Sequence, residues 1–154
     1  MDNYYNCSVS MLVAKIKKLN ENAVIPTKAH PSDAGFDMTA TSIKSTEEYI
    51  EYGTGIAMRI PDGHVGLLFP RSSNSKKDLL MCNSVGVIDC HYTGEIKFRF
   101  KRITNPMYDG LAIHSLGDRI GQIMIIPYPE VQFDLVDELE NTDRGSSGFG
   151  DSGQ

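Results

Sequence analysis

Short segments in which every second residue is apolar recur along the whole 154-residue chain, and this alternation limits the fold more than any other feature. The clearest case is residues 95–101, where isoleucine and two phenylalanines alternate with charged side chains. Successive side chains of a β-strand point to opposite faces, so the pattern predicts a strand with one buried face. Further strands are predicted over residues 11–19, 36–41, 49–52, 56–60, 65–69, 120–126 and 131–135.

Turn-forming residues separate these segments and leave little room for helices. Residues 61–63, Pro-Asp-Gly, suit a tight turn, and residues 45–48 form another polar break. Residues 23–31 contain two prolines and are predicted to be an edge segment or a loop. Helix is predicted only near residues 73–80, where a serine could cap the first turn. The fully apolar run 120–126 is expected to be a central strand, and the whole pattern predicts a β-sandwich or barrel.

Composition restricts the partners and the compartment. The net charge of −5 argues against a general binder of nucleic acid or of anionic membranes, because such proteins carry basic surfaces. Cys7, Cys82 and Cys90 form no CxxC pair and have no histidine at zinc-ligand spacing, so we expect reduced thiols in a cytoplasmic protein. No segment is long and apolar enough to span a bilayer. Residues 1–10 do not resemble a signal peptide and are expected to be a poorly ordered extension.

An apolar run that ends on a carboxylate is the leading candidate for a catalytic element. Residues 83–94 are predicted to form a hairpin in which Ile88 leads to Asp89, and Tyr92 follows three residues later. A carboxylate at the tip of such a hairpin has a rigid base beneath it and water above. In an ordinary hairpin the same aspartate would simply be solvated, so the other polar motifs decide between the two interpretations.

A second motif offers groups that bind phosphate. Arg71 carries a guanidinium that can form bidentate hydrogen bonds, and the neighbouring Ser72 and Ser73 carry hydroxyls. The motif lies at a predicted strand-to-helix junction, and a helix N-terminus favours anions. Alone this motif is weak evidence, because such a sequence is common on solvated surfaces.

Two further polar positions are candidates for metal or ligand contacts. Asp37 at a strand edge could hold a hydrated magnesium ion, although such an aspartate is usually solvated. Gln122 lies amid apolar neighbours and needs a partner, either a backbone group or a ligand. Asp118 and Arg119, just before it, are interpreted as a structural ion pair.

The last residues of the chain change in character. Residues 137–143 are acidic, and residues 144–154 hold four glycines among serines and acidic residues. This composition is typical of a flexible tail, yet Arg144 and Phe149 would be costly in a pure linker. A cation, a flat ring and flexible glycines favour a flap that closes over an aromatic ring and a phosphate.

Five of these segments, in order and with compatible spacing, resemble the five motifs of the homotrimeric dUTPases. They are Ala34-Gly35-Phe36-Asp37, Pro70-Arg71-Ser72-Ser73, residues 83–94, Gly117-Asp118-Arg119-Ile120-Gly121-Gln122, and residues 144–153. The resemblance implies an all-β fold, a distorted jelly-roll or β-barrel with one short helix, over residues 11–136. It also implies a homotrimer in which the C-terminal arm, residues 137–154, is exchanged between subunits.

The resemblance further implies hydrolysis of dUTP to dUMP and pyrophosphate with Mg²⁺ on the triphosphate, which keeps uracil out of DNA and supplies dUMP for dTMP synthesis. Asp89 would orient and deprotonate the water that attacks the α-phosphorus in line. Asp37 would contact Mg²⁺ through water. The implied substrate-binding residues are Arg71, Ser72, Ser73, Asn83, Gly86, Val87, Ile88, Tyr92, Lys97, Gln122, Arg144, Phe149, Gly150 and Ser152.

Four positions depart from the family pattern. Ser73 replaces a usual glycine, before a segment that is about one residue short, which bears on the phosphate geometry there. Gly121 stands where alanine is frequent, a change that we expect to be harmless. Ser147 replaces a glycine of the arm. Asp151 adds a negative charge where serine or histidine is usual, and we expect it to weaken closure of the arm without abolishing it.

Other functions compete with this interpretation. A dCTP deaminase shares the fold, but the chain has no match to its catalytic glutamate motif, and Glu95 is the nearest candidate. A trimeric jelly-roll that binds or regulates without chemistry would not need Asp89, Tyr92 and the complete arm. A serine or cysteine hydrolase has the least support, because none of the four histidines lies in the context of a nucleophile.

Overall fold

The computed structural model describes residues 11–103, 112–143 and 145. Within these ranges the chain forms nine strands: β1 Lys15–Lys18, β2 Phe36–Thr39, β3 Ser42–Ser45, β4 Ile50–Arg59, β5 His64–Phe69, β6 Leu79–Met81, β7 Gly86–Ile88, β8 Glu95–Arg102 and β9 Arg119–Pro127. One sheet has the order β1-β4-β8-β6, with β3 also paired to β4, and the other has the order β2-β9-β5-β7. The predicted all-β class is confirmed.

The largest side chains of the core come from β4 and β8. Ile96, Phe98 and Phe100 of β8 are at most 1% exposed, and the charged residues between them face outward, as the alternation predicts. The ring of Tyr52 in β4 packs edge-on against that of Phe100, with 5.7 Å between the ring centroids. Burial of each apolar side chain of this size stabilises the fold by about 1.5–3 kcal/mol. This pair of strands therefore anchors the core.

β4 joins two strands that the sequence pattern predicts separately, over residues 49–52 and 56–60. Gly55, in the middle of β4, has a φ of +65°, which glycine adopts without steric cost. The register between β4 and β8 shifts at this point, so the strand bends instead of ending. The predicted turn at residues 45–48 joins β3 to β4. The sequence pattern predicts no clear strand over Ser42–Ser45, which form β3.

β9 lies between β2 and β5, so the prediction of a central strand is confirmed. Only its first half is deeply buried: Ile120 and Ile123 are at most 1% exposed, whereas residues 124–126 are half-buried. The predicted segments 11–19 and 36–41 contain β1 and β2, and the predicted segment 65–69 covers all of β5 except its first residue, His64.

The predicted helix over residues 73–80 is wrong in type and extent. Residues Ser72–Lys76 form a 3₁₀ helix, and no serine side chain caps it. The chain then enters β6, where Leu79 and Met81 are buried and Leu80 between them is exposed. This period of two matches a strand paired with β8, so the tertiary contact overrides the local preference.

Two strand predictions near the chain's functional motifs are also wrong. Residues 83–94 do not form a hairpin, because β7 pairs with β5 and β8 belongs to the other sheet. Residues 131–135 alternate in sequence but form no strand, and the side chains of Val131, Phe133 and Leu135 are 65%, 93% and 98% exposed. An alternating segment becomes a strand only beside a free partner edge, and none of the described strands pairs with it. No helix in the described ranges is long and apolar enough to cross a membrane.

Gly121 is explained by its contact with Phe98. A Cβ placed on Gly121 would lie 2.6 Å from Cζ of Phe98 and closer still to Cε1, so the ring fills the space that an alanine methyl would need. Both residues are buried between the sheets. Alanine at this position is therefore not a neutral exchange in this chain.

We expect Gly121→Ala to lower the free energy of unfolding by about 1–3 kcal/mol, the usual cost of overpacking a core. Phe98→Val should also destabilise the protein, through the cavity that it leaves. The double variant should lose less than the sum of the two, because each change relieves the other. Urea denaturation of all four proteins measures this coupling, and simple additivity would contradict the explanation.

Candidate active site

A cleft of about 520 Å³ lies where the chain leaves β7 and crosses to the other sheet. Six of the predicted site residues line it together: Asn83, Val87, Ile88, Asp89, Tyr92 and Lys97. The predicted Gly86 lies in β7 behind them and is buried. The structure thus gathers the candidate catalytic aspartate and its neighbours on one surface.

A tight turn places the Asp89 carboxylate in this cleft. The backbone N–H of Tyr92 donates to the carbonyl oxygen of Asp89 over 3.0 Å, and the Tyr92 hydroxyl donates to the carbonyl oxygen of Glu95, also over 3.0 Å. A Cβ on Gly94 would lie 2.7 Å from Cζ of Tyr92, so glycine is needed for the ring to lie against the backbone. The ring remains 44% exposed and can stack on a ligand.

β7 is an edge strand, which leaves backbone groups available on its outer side. It pairs with β5 through Gly86, Val87 and Ile88, and no other described strand pairs with it. An edge strand presents unpaired N–H and C=O groups to solvent or to a ligand. A Cβ on Gly86 would lie 3.1 Å from Cβ of Leu68, so the strand is packed tightly from behind.

One wall of the cleft is an ion-pair network around a buried carboxylate. Glu51 is 8% exposed; Lys97 Nζ donates to its Oε1 over 3.1 Å, and Arg99 Nη2 lies 2.7 Å from its Oε2. Burial by itself would raise the pKa of Glu51, but the hydrogen bonds from Arg99 and Lys97 outweigh it and lower the pKa below the ordinary value. Glu51 is therefore held as an anion.

A second cavity, of about 300 Å³, collects the other predicted motifs. Its lining includes Asp37, Arg71, Ser72 and Gln122. Arg71 Nε donates to Asp37 Oδ1 over 2.8 Å, which fixes the guanidinium, and the Gln122 amide donates to the carbonyl oxygen of Pro70 over 3.4 Å. The backbone partner considered for Gln122 is therefore present, and its side chain also reaches the cavity.

Parts of the sequence interpretation of this region are wrong. Arg119 pairs with Asp37 over 2.8 Å and not with Asp118, which accepts a hydrogen bond from the backbone N–H of Ser115. Ser73 does not line the cavity, but its hydroxyl lies 3.4 Å from Arg71 Nη1, and its contact with substrate stays a prediction. The five-residue 3₁₀ helix is also too short for a helix dipole to contribute to anion binding.

The two cavities are separate within one chain and share no lining residue. Ile88 lies in β7 and Asp37 in β2, at opposite edges of the same four-stranded sheet. From the pairing registers, with a strand spacing of about 4.8 Å and a rise of about 3.3 Å per residue, their Cα atoms lie roughly 17 Å apart. One chain therefore presents two separate groups of predicted site residues, and we call each group a half-site.

The family model of dUTPase matches residues 21–153 of the chain. The chain belongs to the dUTPase family. The deoxyuridine 5'-triphosphate nucleotidohydrolase of Nocardia farcinica is 37% identical over 141 residues, which cover 90% of this chain and 84% of that protein. The enzyme of the same name from Corynebacterium glutamicum is 37% identical over 143 residues, with 91% and 94% covered.

Solved dUTPase structures share the fold. A mutant dUTPase of Staphylococcus bacteriophage 80alpha with dUpNHpp superposes with a TM-score of 0.77 at 29% identity and covers 92% of this chain and 99% of that one. A mutant dUTPase of phage phi11 of S. aureus, whose structure describes the coordination of a structural Mg(II) ion, gives a TM-score of 0.68 at 27% identity, with 84% and 99% covered. The predicted jelly-roll is confirmed by these neighbours.

In this dUTPase, Asp37 is suited to a magnesium ion contacted through water and not to direct coordination. Its two carboxylate oxygens each accept a hydrogen bond of 2.8 Å, one from Arg71 and one from Arg119. Two flanking guanidinium groups oppose a directly bound divalent cation, yet each oxygen keeps a lone pair for water. Mg²⁺ usually retains several waters and binds mainly through substrate phosphates.

Sequence reasoning did not identify Glu51 as part of the site. The available signal was a single carboxylate between Ile50 and Tyr52 in a strand that is otherwise uncharged up to Met58. Glu95, the nearest candidate for a deaminase glutamate, accepts a hydrogen bond of 2.8 Å from the backbone N–H of Gly55 and supports the bend of β4. The arm positions Arg144, Ser147, Phe149, Gly150, Asp151 and Ser152 lie outside the described residues.

Glu51→Gln should make the free energy of unfolding less dependent on pH in the acidic range. Because the folded-state pKa of Glu51 is lowered, the carboxylate stabilises the fold above the unfolded-state pKa, and this contribution is lost as pH falls through the folded-state pKa. We expect the variant to lose about 1.5–3 kcal/mol near neutral pH, the usual value of hydrogen bonds to a charged group.

Urea denaturation at about pH 7 and about pH 3.5 tests this, and the difference between the two proteins should shrink at the lower pH. Glu48→Gln is the matched control, since Glu48 is an exposed carboxylate. A difference that stayed constant with pH would contradict the role of the charge.

Proposed function

We propose that this chain, a dUTP diphosphatase by family, hydrolyses dUTP to dUMP and pyrophosphate through a water that Asp89 places for in-line attack on the α-phosphorus. The observation that carries the mechanism is the exposed Asp89 carboxylate beside Tyr92 and the free edge of β7 in one cleft. An aspartate is a weak base, so its contribution is mainly to orient the water and to accept its proton as the bond to phosphorus forms. Pyrophosphate leaves from the opposite side.

We assign base and sugar recognition to the same cleft. The backbone of residues 86–88, with Asn83, pairs with the edge of uracil, and the tight packing of Gly86 against Leu68 keeps that wall from yielding. A yielding pocket distinguishes one methyl group by only about 1–3 kcal/mol, so a rigid wall is needed against thymine. Tyr92 lies under the deoxyribose and excludes a ribose 2′-hydroxyl.

We assign the phosphates to the second half-site. Arg71 is held in place by Asp37, and Ser72 and Gln122 lie beside it, so a cation and two polar groups face one cavity. Ser73 acts through Arg71, and Lys97 adds a positive charge on the other half-site. Magnesium bound to the triphosphate supplies charge neutralisation there. Arg144, Phe149, Gly150 and Ser152 complete the site from the arm.

We propose a homotrimer in which the half-sites of different subunits form each active site. The two cavities of one chain share no residue, which supports completion by a neighbour. Exposed apolar surface supports contact between chains: Phe133 and Leu135 face solvent, and a groove of about 410 Å³ is lined by residues such as Leu12, Phe36 and Met58.

A cytoplasmic location, or the host cytoplasm for a viral source, stays a prediction; of the three cysteines, Cys82 and Cys90 are free thiols.

Asp89→Ala should lower kcat for dUTP by roughly 10²–10⁴-fold, the usual contribution of a positioned acid or base, while nucleotide still binds. Pyrophosphate release from dUTP, dTTP, dCTP and UTP measures the activity, and turnover should be confined to dUTP. Ammonia release from dCTP would favour the deaminase alternative. Full activity of the variant would exclude Asp89 as the base.

Two inactive variants should restore each other if the half-sites come from different subunits. Asp89→Ala damages one half-site and Arg71→Ala the other. Chains that are mixed in equal amounts, unfolded and refolded together should regain about one quarter of the wild-type sites, because random assembly pairs two intact half-sites that often. Each variant refolded alone is the control, and no recovery in the mixture would place both half-sites in one chain.

A further inference from the structure

The backbone just after Asp89 is held by a guanidinium that belongs to the opposite sheet. Arg59 is the last residue of β4, and its Nη1 donates to the carbonyl oxygen of Cys90. The same nitrogen lies 2.7 Å from His91 Nδ1, and Nη2 donates to Asp62 Oδ1 over 2.9 Å. Arginine has only donors, so His91 Nδ1 must be the acceptor of this bond. We call Arg59, Asp62, Cys90 and His91 the Arg59 clamp.

The clamp matters because the Asp89 side chain has no other support. In the part of the chain that the structure describes, no group donates a hydrogen bond to its carboxylate, and the residue is exposed. Its position therefore depends on the backbone of the turn. Inside the turn, the Tyr92 N–H holds that backbone by a hydrogen bond. The Cys90 side chain, which is only 8% exposed, anchors the turn in the core, and Arg59 holds it from outside. Two hydrogen bonds to backbone carbonyls thus tie the turn to the other sheet: Arg59 of β4 donates to Cys90 of the turn, and the Tyr92 hydroxyl of the turn donates to Glu95 of β8.

The same cluster does not favour a metal ion. Asp62, Cys90 and His91 offer ligand atoms within 4.8 Å of one another, the one such group of three among the described residues. Arg59 already places its positive charge on Asp62 and donates to His91. A divalent cation would have to displace a guanidinium that makes three bonds, so the geometry is that of a clamp.

We propose that Arg59 is a positioning residue for dUTP hydrolysis, because it holds the turn that carries Asp89 in the geometry that aims the water. This rests on the proposed role of Asp89. The effect acts on the chemical step, since a displacement of about 1 Å at a reacting group costs roughly 10²-fold in rate. Base and phosphate contacts lie on β7 and on the second half-site, which Arg59 does not touch. The fork of three donors is specific to arginine, and a lysine ammonium cannot reproduce its directions.

Arg59→Ala should therefore lower kcat for dUTP by roughly 10–100-fold and change KM by no more than about threefold. Arg59→Lys should recover only a small part of the loss. Methylguanidinium added to Arg59→Ala should restore part of kcat, whereas methylammonium should not. Rescue of this kind would not follow from a merely structural role.

Arg102→Ala is the matched control. Arg102 is also half-buried, and its guanidinium donates to the carbonyl oxygen of Thr46 over 2.9 Å and to the Ser45 hydroxyl, away from the Asp89 cleft. It should lower the midpoint of urea denaturation as Arg59→Ala does, with kcat unchanged. Equal kcat in both variants, or no rescue by methylguanidinium, would overturn the proposal.

Two exposed clamp residues keep the test decisive if Arg59→Ala does not fold. Asp62→Asn and His91→Ala remove single partners of the guanidinium at exposed positions, and each should lower kcat by roughly 3–10-fold at unchanged stability. Unchanged kcat in both would overturn the clamp. Asp89→Ala separates the two hypotheses: if it stays active the proposed mechanism fails, whereas if it is inactive and Arg59→Ala is fully active, only the clamp fails.

Discussion

The antiparallel pairing of β4 with β8 supports the rest of the molecule. Its inner face forms the core, and its outer face forms a wall of the Asp89 cleft. On the inner face, Tyr52, Phe98 and Phe100 are fully buried and join the two sheets. On the outer face, Glu51 of β4 is paired with Lys97 and Arg99 of β8 and forms a wall of the Asp89 cleft. Because successive side chains of a strand alternate, the packing of the core and the charge of the cleft are set by one register. A slip by one residue would exchange them.

The bend in β4 links this pairing to the turn that carries Asp89. At Gly55 the register with β8 shifts, and the Glu95 carboxylate accepts the backbone N–H that the shift leaves unpaired, over 2.8 Å. Beyond the bend β4 pairs with β1, and its final residue, Arg59, reaches the carbonyl oxygen of Cys90. Glu95 therefore has a structural role at the bend. One strand thus supports the cleft both at its wall and at its turn.

The separation of the two half-sites within one chain follows from the order of strands in the second sheet. β7 and β2 occupy opposite edges, with β5 and β9 between them. The motif residues of β7 and those of β2 therefore cannot converge within one chain, although they act on one nucleotide in the proposed mechanism. Exposed apolar residues after β9 offer surface for a neighbouring chain. Assembly is in this view a requirement of the site.

The alternating pattern and the chemistry of a few polar motifs were sufficient to predict the all-β class, the buried face of β8, the central place of β9 and the grouping of Asp89 with Tyr92. These features depend on nearest neighbours along the chain, which a sequence displays directly. The family motifs also predicted residues that the structure places in the two cavities.

Only the tertiary structure decided which strands pair, and this is where the predictions failed. A short apolar segment has a similar local preference whether it pairs with β5 or with β8, so the expected hairpin at residues 83–94 was replaced by a crossover between sheets. Glu51 and Arg59 look like ordinary strand residues until β8 and the Asp89 turn are brought beside them. Contacts between residues more than thirty positions apart depend on the competition among all strands for partners and for burial, which no single segment records.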